Sequence, residues 1–329
     1  MPEADKKLIT ITVPVLNEEE NIQPFYEAVS DAIAPLKERY RFEFLFTDNH
    51  STDSTFEKLA SLAEADDRIR VLRFSRDYGF QRSVYTGLVN AAGDAAIQID
   101  CDLQDPPEMI PRFIDKWEQG YQNVFGIRIS RQENRLKTGM RRFFYRLIDL
   151  LSEDRLPHDA GDFRLVDRKI LDALKQFNDY QPYLRGEIAA MGFSQAGIEY
   201  ERPGRQRGKS KFKGGDMIKL ALDGILNHSV IPLRIATFIG LIVSVLTFLG
   251  IIGYLVGNFY FGADWPAGFA TITIFILLAI SLNALFLGII GEYLGRIYQQ
   301  VKKRPLVIVE REIGSSRGPG DSANERKMT

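Results

Sequence analysis

Among the 329 residues there is one cysteine, Cys101, so no disulfide can close within the chain, and this usage fits a reducing, cytosolic environment. Set between two aspartates with no base partner beside it, Cys101 reads as a small filler rather than a nucleophile. No apolar run opens the chain, so no signal peptide is expected, and no internal repeat is visible. Charge of either sign is barely in excess: 42 Lys and Arg face 43 Asp and Glu, a net charge of −1. No nucleic-acid partner is expected from such a balance. Charge is missing altogether from two long stretches near the C-terminus, 235–256 and 269–291.

Each uncharged stretch reaches the ~20 apolar residues that cross a hydrocarbon core, so both are expected to span a bilayer as a hairpin. The alternative is a buried helical pair in a soluble protein. Arg234 precedes the first stretch and Arg296, Lys302, Lys303 and Arg304 follow the second, whereas the connection from Gly257 to Gly268 carries only Asp264. Both termini are therefore expected on the cytoplasmic side of the inner (plasma) membrane. Phe259, Tyr260, Phe261 and Trp265 suit the far interface as an aromatic belt.

The balanced total hides two basic runs. Seven Lys or Arg lie from Arg128 to Arg146 against Glu133, and seven more from Arg202 to Lys219 against Asp216. Solvated charged faces are the ordinary explanation, yet runs close to membrane spans suit phosphates and an anionic leaflet. Within 135–151, Leu136, Met140, Phe143, Phe144, Leu147 and Leu151 share a helical face. That segment and 217–226 read as helices lying on the membrane surface.

Before these runs the chain alternates strand and helix. Strands are expected at 8–15, 42–48, 69–74, 95–100 and 123–127, and helices at 52–65, 81–92 and 106–117. Another helix is opened by a capping-box-like Asn17 and Glu20, with Ile22, Phe25, Val29, Ile33 and Leu36 as its apolar stripe. Such a rhythm implies an α/β domain with a mostly parallel sheet. Ligands bind at the carboxyl ends of the strands in sheets of this kind, and Asn17, Asp48 and the segment Asp100 to Gln104 fall at those ends. If the backbone stays extended, Asp100, Asp102 and Gln104 project to one side. Two carboxylates and an amide oxygen suit Mg²⁺ or Mn²⁺ together with substrate phosphates. Asp53 reads as a turn residue, and His50 as a loop residue. A last strand is expected at 305–313, paired with its own domain or with a neighbour's; on the second arrangement the chain is a homo-oligomer. The tail 314–329 is expected to be disordered.

Taken together, Val13-Pro14-Val15-Leu16-Asn17-Glu18-Glu19, Thr47-Asp48-Asn49-His50-Ser51-Thr52-Asp53, Asp100-Cys101-Asp102-Leu103-Gln104-Asp105-Pro106-Pro107-Glu108, Gly161-Asp162-Phe163-Arg164-Leu165 and Arg205-Gln206-Arg207-Gly208-Lys209-Ser210-Lys211 resemble the successive motifs of family 2 inverting glycosyltransferases with a GT-A fold. More narrowly they resemble the polyprenyl-phosphate glycosyltransferases, which include dolichyl-phosphate mannosyltransferase and bacterial bactoprenol glucosyltransferases. The paired spans match the bactoprenol type, and the resemblance runs from about Leu8 to Ile313. Asn49-His50 departs from the pattern, since relatives often carry a second acid and a small residue there.

The resemblance implies a Rossmann-like GT-A domain over 1–228 that includes the surface helices, a transmembrane hairpin over 229–296, and a basic segment with a strand over 297–313. It implies that Pro14, Asn17, Glu18 and Asp48 line a nucleotide pocket, with Asp48 facing the base and Asp100 beside the ribose and sugar. Asp102 and Gln104 would hold the metal. Arg128, Arg142, Arg205, Ser210 and Lys211 would clamp donor and acceptor phosphates. Asp162 stands where such enzymes place a general base. A phosphate acceptor is already largely dianionic, so Asp162 is expected to act mainly by orienting the acceptor or Arg164, with partial proton acceptance from a monoanionic acceptor; Asp159 is its runner-up. The implied reaction moves one hexose, glucose from UDP-glucose first among the choices, onto undecaprenyl phosphate. GDP-mannose, a UDP-aminoarabinose derivative or a UDP-N-acetylhexosamine are the alternative donors. A processive synthase would need a Q-x-x-R-W motif and more spans, a channel would need ionisable residues within its spans, and a non-catalytic scaffold would be expected to have lost a metal ligand.

Overall fold

The computed structural model describes residues 6–129, 160–177, 179–180, 182–201, 231–261 and 268–314. The expected surface helices at 135–151 and 217–226 lie outside them, as do Arg142, Asp159, Arg205, Ser210 and Lys211. By their contacts the residues divide into two compact units, one holding the sheet with its helices and the segment from Arg304 onward, the other holding the two long C-terminal helices.

The first unit is built on an eight-stranded sheet of order β7-β5-β6-β4-β1-β2-β3-β8. Its strands are β1 (Lys7–Val15), β2 (Tyr40–Asp48), β3 (Ile69–Phe74), β4 (Ala95–Gln98), β5 (Asn123–Ile129), β6 (Ala160–Asp167), β7 (Gln195–Glu201) and β8 (Val309–Ile313). β1 pairs in parallel with both β2 and β4, and β2 with β3, through the crossover helices α1 (Ile22–Ile33), α2 (Thr55–Ala65) and α3 (Phe80–Asn90). β6 enters antiparallel between β4 and β5, and β8 closes the far edge antiparallel to β3.

β1 is buried on both faces, as a central parallel strand must be. On one face Ile9, Ile11 and Val13 join the buried stripe Ile22, Phe25, Val29 and Ile33 of α1 and the residues Ile110, Phe113, Ile114 and Trp117 of α4 (Ile110–Glu118). On the other, Val84, Tyr85 and Leu88 of α3 pack with Ile170, Leu171 and Leu174 of α5 (Arg168–Leu174) and with Leu184 and Ile188 of α6 (Leu184–Ala190). The sheet is thus sandwiched between helical layers, an α/β fold with a mostly parallel sheet.

Several expected boundaries shift. The helix after β1 starts at Ile22 with Asn21 at its cap position, so Asn17 and Glu20 form no capping box. The helix expected from Thr52 begins at Thr55 after an Asp53 turn, whose Oδ1 accepts the Thr55 backbone N–H at 3.0 Å. β4 stops at Gln98, short of Asp100. β8 starts at Val309 rather than Pro305 and pairs within its own chain, which removes the motive that this strand gave for a homo-oligomer.

The second unit holds α7 (Ile231–Phe261, 31 residues) and α8 (Phe269–Val301, 33 residues). Among the described residues one stretch, Leu278–Val301, is by itself long and apolar enough to cross a membrane; the apolar part of α7, Ala236–Gly250, is shorter. The stretch in α8 ends beyond the expected 291 because the helix runs on through Glu292 and Arg296, which pair across one turn at 3.1 Å. Large apolar side chains on both helices, among them Phe238, Leu246, Phe248, Phe275 and Leu287, are more than half exposed.

Candidate active site

The parallel strands β1 and β2 end side by side, Val15 opposite Asp48, and the loops that follow are laced together by short polar side chains. Asn17 holds a left-handed backbone conformation, φ 54°, which asparagine tolerates. Its Oδ1 accepts the Thr52 backbone N–H at 2.7 Å, and its own N–H donates to Ser51 Oγ at 2.9 Å. Glu18 donates its backbone N–H to Thr55 Oγ1 at 2.8 Å, while its carboxylate accepts from the Asn21 side chain at 2.5 Å. Asn17 is therefore a brace between two loops at the strand ends, not a helix cap. Asp48 is fully buried; its Oδ1 accepts the Ser51 N–H at 2.9 Å, and its Oδ2 has no hydrogen-bond partner. Pro14, next to last in β1, lies opposite Thr47, where its missing N–H falls beyond the pairing with the short β4.

The acidic segment does not stay extended. After β4 the chain turns, Leu103 adopts φ 56°, and Asp102 Oδ1 accepts the Gln104 backbone N–H at 3.1 Å. This two-residue side-chain turn replaces the extended geometry from which Asp100, Asp102 and Gln104 were expected to share one side. They come together with other charges instead. Asp100 accepts from the Gln98 amide at 3.1 Å. Burial first, and then the neighbouring carboxylates of Asp105, Asp162 and Asp102, push its carboxyl up to about 7, against the pull of Arg128. Cys101 is buried in the same place; desolvation and the charges of Glu18, Asp102 and Asp100 drive its thiol far up, which suits a filler.

Three guanidinium groups answer these acids. Arg128 on β5 lies 3.4 Å from Asp105 Oδ2 and donates through Nε to Tyr200 Oη at 3.1 Å, and the Tyr200 hydroxyl donates in turn to Asp105. Two glycines make room for this brace: a Cβ at Gly126 would fall 2.5 Å from the Tyr200 ring, and one at Gly161 would fall 3.3 Å from Arg128 Nε. Arg185 on α6 grips Asp162 of β6 with two parallel hydrogen bonds, Nε to Oδ1 and Nη2 to Oδ2, both 2.9 Å. Burial alone would raise the Asp162 carboxyl, but Arg185, with Arg164 and Arg128 behind it, holds it below the ordinary range. Arg164 is buried, donates to the Gly161 carbonyl at 3.0 Å, and is lowered to about 10 by desolvation.

Both Asp162 oxygens thus accept from Arg185, whereas Arg164 donates to the Gly161 carbonyl. The sequence alone points to neither Arg185 nor Tyr200, and it shows Asp105 only as part of the acidic motif, with no role of its own. Asp105 had a visible signal as the third acid of Asp100-Cys101-Asp102-Leu103-Gln104-Asp105; Arg185 and Tyr200 reach the site only through long-range packing.

Among the described residues no three His, Cys, Asp or Glu side chains gather as a self-sufficient metal cage. The oxygen donors Asp102 and Gln104, amid carboxylates crowded enough to raise Asp100, fit a hard divalent ion that completes its shell with phosphate oxygens and water.

The family model for glycosyl transferase family 2 matches residues 10–175. An uncharacterized glycosyltransferase of Bacillus subtilis (strain 168), YkcC, is 38% identical over 93% of this chain and 94% of its own length. A prophage-derived bactoprenol glucosyl transferase of Shigella flexneri is 36% identical over 92% of this chain and 97% of its own. Among solved structures, glucosyl-3-phosphoglycerate synthase from Mycobacterium tuberculosis, in complex with Mg²⁺ and uridine diphosphate, aligns with a TM-score of 0.47 at 19% identity, over 68% of this chain and 80% of that one. On the family match and these full-length similarities, the chain belongs to glycosyl transferase family 2.

Proposed function

We propose that this chain transfers a single hexose, glucose from UDP-glucose, with inversion onto undecaprenyl phosphate at the cytoplasmic face of the plasma membrane. The observation that carries the reading is the meeting of Asp100, Asp102, Asp105 and Asp162 with Arg128, Arg164 and Arg185. Such a site offers cation-binding oxygens and anion-binding guanidiniums together, as a diphosphate donor and a phosphate acceptor require. The bactoprenol glucosyl transferases that align along nearly the whole chain support the glucose and the lipid. The exposed apolar side chains of α7 and α8 support a membrane seat, because surface of that extent is not left to water. On this reading 235–256 and 269–291 both span, and the sheet domain is cytoplasmic.

Pro14, Asn17, Glu18 and Asp48 hold the nucleotide, and Asp100 lies beside the sugar. Asp102 and Gln104 would hold Mg²⁺ or Mn²⁺, which would supply Lewis-acid neutralisation of the leaving diphosphate. Arg185, fixed by Asp162, and Arg128, fixed by Asp105 and Tyr200, present planar charge to phosphate oxygens. An acceptor phosphate oxygen then forms the new bond at the anomeric carbon from the face opposite UDP as the bond to UDP breaks, and the configuration inverts. With a second pKa near ~6 the phosphate monoester is already largely dianionic at neutral pH. Transfer therefore needs little help from a base, and Asp162 acts by holding Arg185.

The test is transfer of radiolabel to undecaprenyl phosphate from a panel of UDP- and GDP-sugars, with the anomer of the product assigned by NMR. A β-linked glucosyl lipid formed from UDP-glucose in preference to the others is expected. Turnover of another donor would reassign the sugar, and binding of nucleotide without transfer from any donor would favour a non-catalytic scaffold.

A further inference from the structure

Arg73 on β3 stands between two carboxylates from opposite ends of the chain. Its Nε is 3.8 Å from Asp48 Oδ2 at the end of β2 and 3.8 Å from Glu310 Oε2 on β8. Its guanidinium lies over the Phe56 ring, 4.3 Å from the centroid. Glu310 also reaches His50, whose Nδ1 is 3.5 Å away and lies 2.9 Å from the Phe74 carbonyl. Neither contact of Arg73 with a carboxylate is short enough for a hydrogen bond. Asp48 Oδ2, fully buried, therefore keeps its acceptor capacity unused.

Strand β8 is held to the sheet without Glu310. Glu312 pairs with Arg70 at 2.6 Å, the Ser75 backbone N–H donates to the Ile308 carbonyl at 2.9 Å, and Val307 packs against Leu45, Leu72 and Phe74. Glu310 is half exposed; beside its contact with His50 it adds a second negative charge competing for Arg73.

We propose that Glu310 is a positioning residue of the nucleotide pocket: by drawing Arg73 toward β8 it keeps the buried Asp48 Oδ2 unclaimed, free to accept an N–H from the edge of the donor's base. This rests on the reading that Asp48 faces the base. Without the Glu310 charge, Arg73 closes onto Asp48, takes the acceptor oxygen, and excludes the base. The strand that follows α8 thereby completes a site formed by the first strands of the chain.

The experiment measures UDP affinity by calorimetry, melting temperature, and steady-state constants for UDP-glucose, on the full-length protein in detergent with Mg²⁺. Glu310→Gln is compared with Glu312→Gln and Asp48→Asn. Glu310→Gln should weaken UDP about fivefold, the scale of one partly exposed charge contact, and raise KM with kcat unchanged. Glu312→Gln should lower the melting temperature at least as much and leave UDP affinity alone. Wild-type UDP affinity in Glu310→Gln, or an equal loss in Glu312→Gln, overturns the inference. If Asp48→Asn binds UDP as tightly as the wild type, it is the base-facing role of Asp48 that fails; if Asp48→Asn weakens binding while Glu310→Gln does not, the failure belongs to Glu310 alone.

Discussion

Asp162, mostly covered, and Glu187, buried, are driven in opposite directions by their surroundings. Asp162 is kept ionised by the paired hydrogen bonds of Arg185, so its contribution is orientation. Asp162→Asn frees Arg185 and should slow transfer about a hundredfold, the usual effect of misplacing a substrate by ~1 Å, while leaving UDP affinity unchanged. The defect should be constant from pH 6.5 to 8.5. A defect that shrinks as pH rises would restore a proton-accepting role, since added base deprotonates the acceptor without help. Glu187 is on the buried face of α6, where burial, then the charge of Asp179, push its carboxyl from 4.5 up to about 7. Only its Oε1 is satisfied, by the Tyr183 N–H at 3.0 Å. Folding raises this pKa, so the native state holds the proton more tightly than the unfolded chain does. Stability from this group is full below pH 4.5 and is lost as pH rises toward 7. Glu187→Gln should therefore stabilise the protein by roughly 2–3 kcal/mol at pH 8 and by little at pH 4.5. Equal changes in melting temperature at the two pH values would contradict this.

At the level of elements, the proposed spans make a topological prediction. A tag inserted at Gly262 should be labelled only from outside the cell, and tags at either terminus only from the cytoplasm; cytoplasmic labelling of Gly262 would remove α7 as a span. The elements also show what the sequence could express. The stripe Ile22, Phe25, Val29 and Ile33 marked its helix, and the run Ile69–Phe74 its strand, because both bury one continuous apolar set that local periodicity records. The insertion of β6 between β4 and β5 left no such mark, since antiparallel partners distant in the chain are chosen by packing rather than by period. The same limit explains the site. Asp48, Asp100 and Asp102 were legible from their places at strand ends. Arg185 and Tyr200 were not, because α6 and β7 bring them across from later in the chain. Asn17 was legible as a residue but not as a brace, for its left-handed backbone depends on a partner loop.

On the proposed function, the whole molecule must bring a water-soluble, charged donor to an acceptor whose chain stays in the bilayer. A domain that brings acids and guanidiniums together, and a second unit whose helices leave large apolar side chains exposed, fit the two halves of that requirement. The most direct measurement reconstitutes the full-length protein in vesicles with undecaprenyl phosphate, undecaprenol or neither, and follows labelled glucose from UDP-glucose with Mg²⁺ present. The account predicts label in an organic-extractable lipid with undecaprenyl phosphate alone, and loss of nearly all of it in Asp102→Ala, since removing one electrostatic contact to a leaving anion typically costs about 3 kcal/mol. Equal label on undecaprenol, or transfer only to a water-soluble acceptor, would contradict a phosphate acceptor held by Arg128 and Arg185.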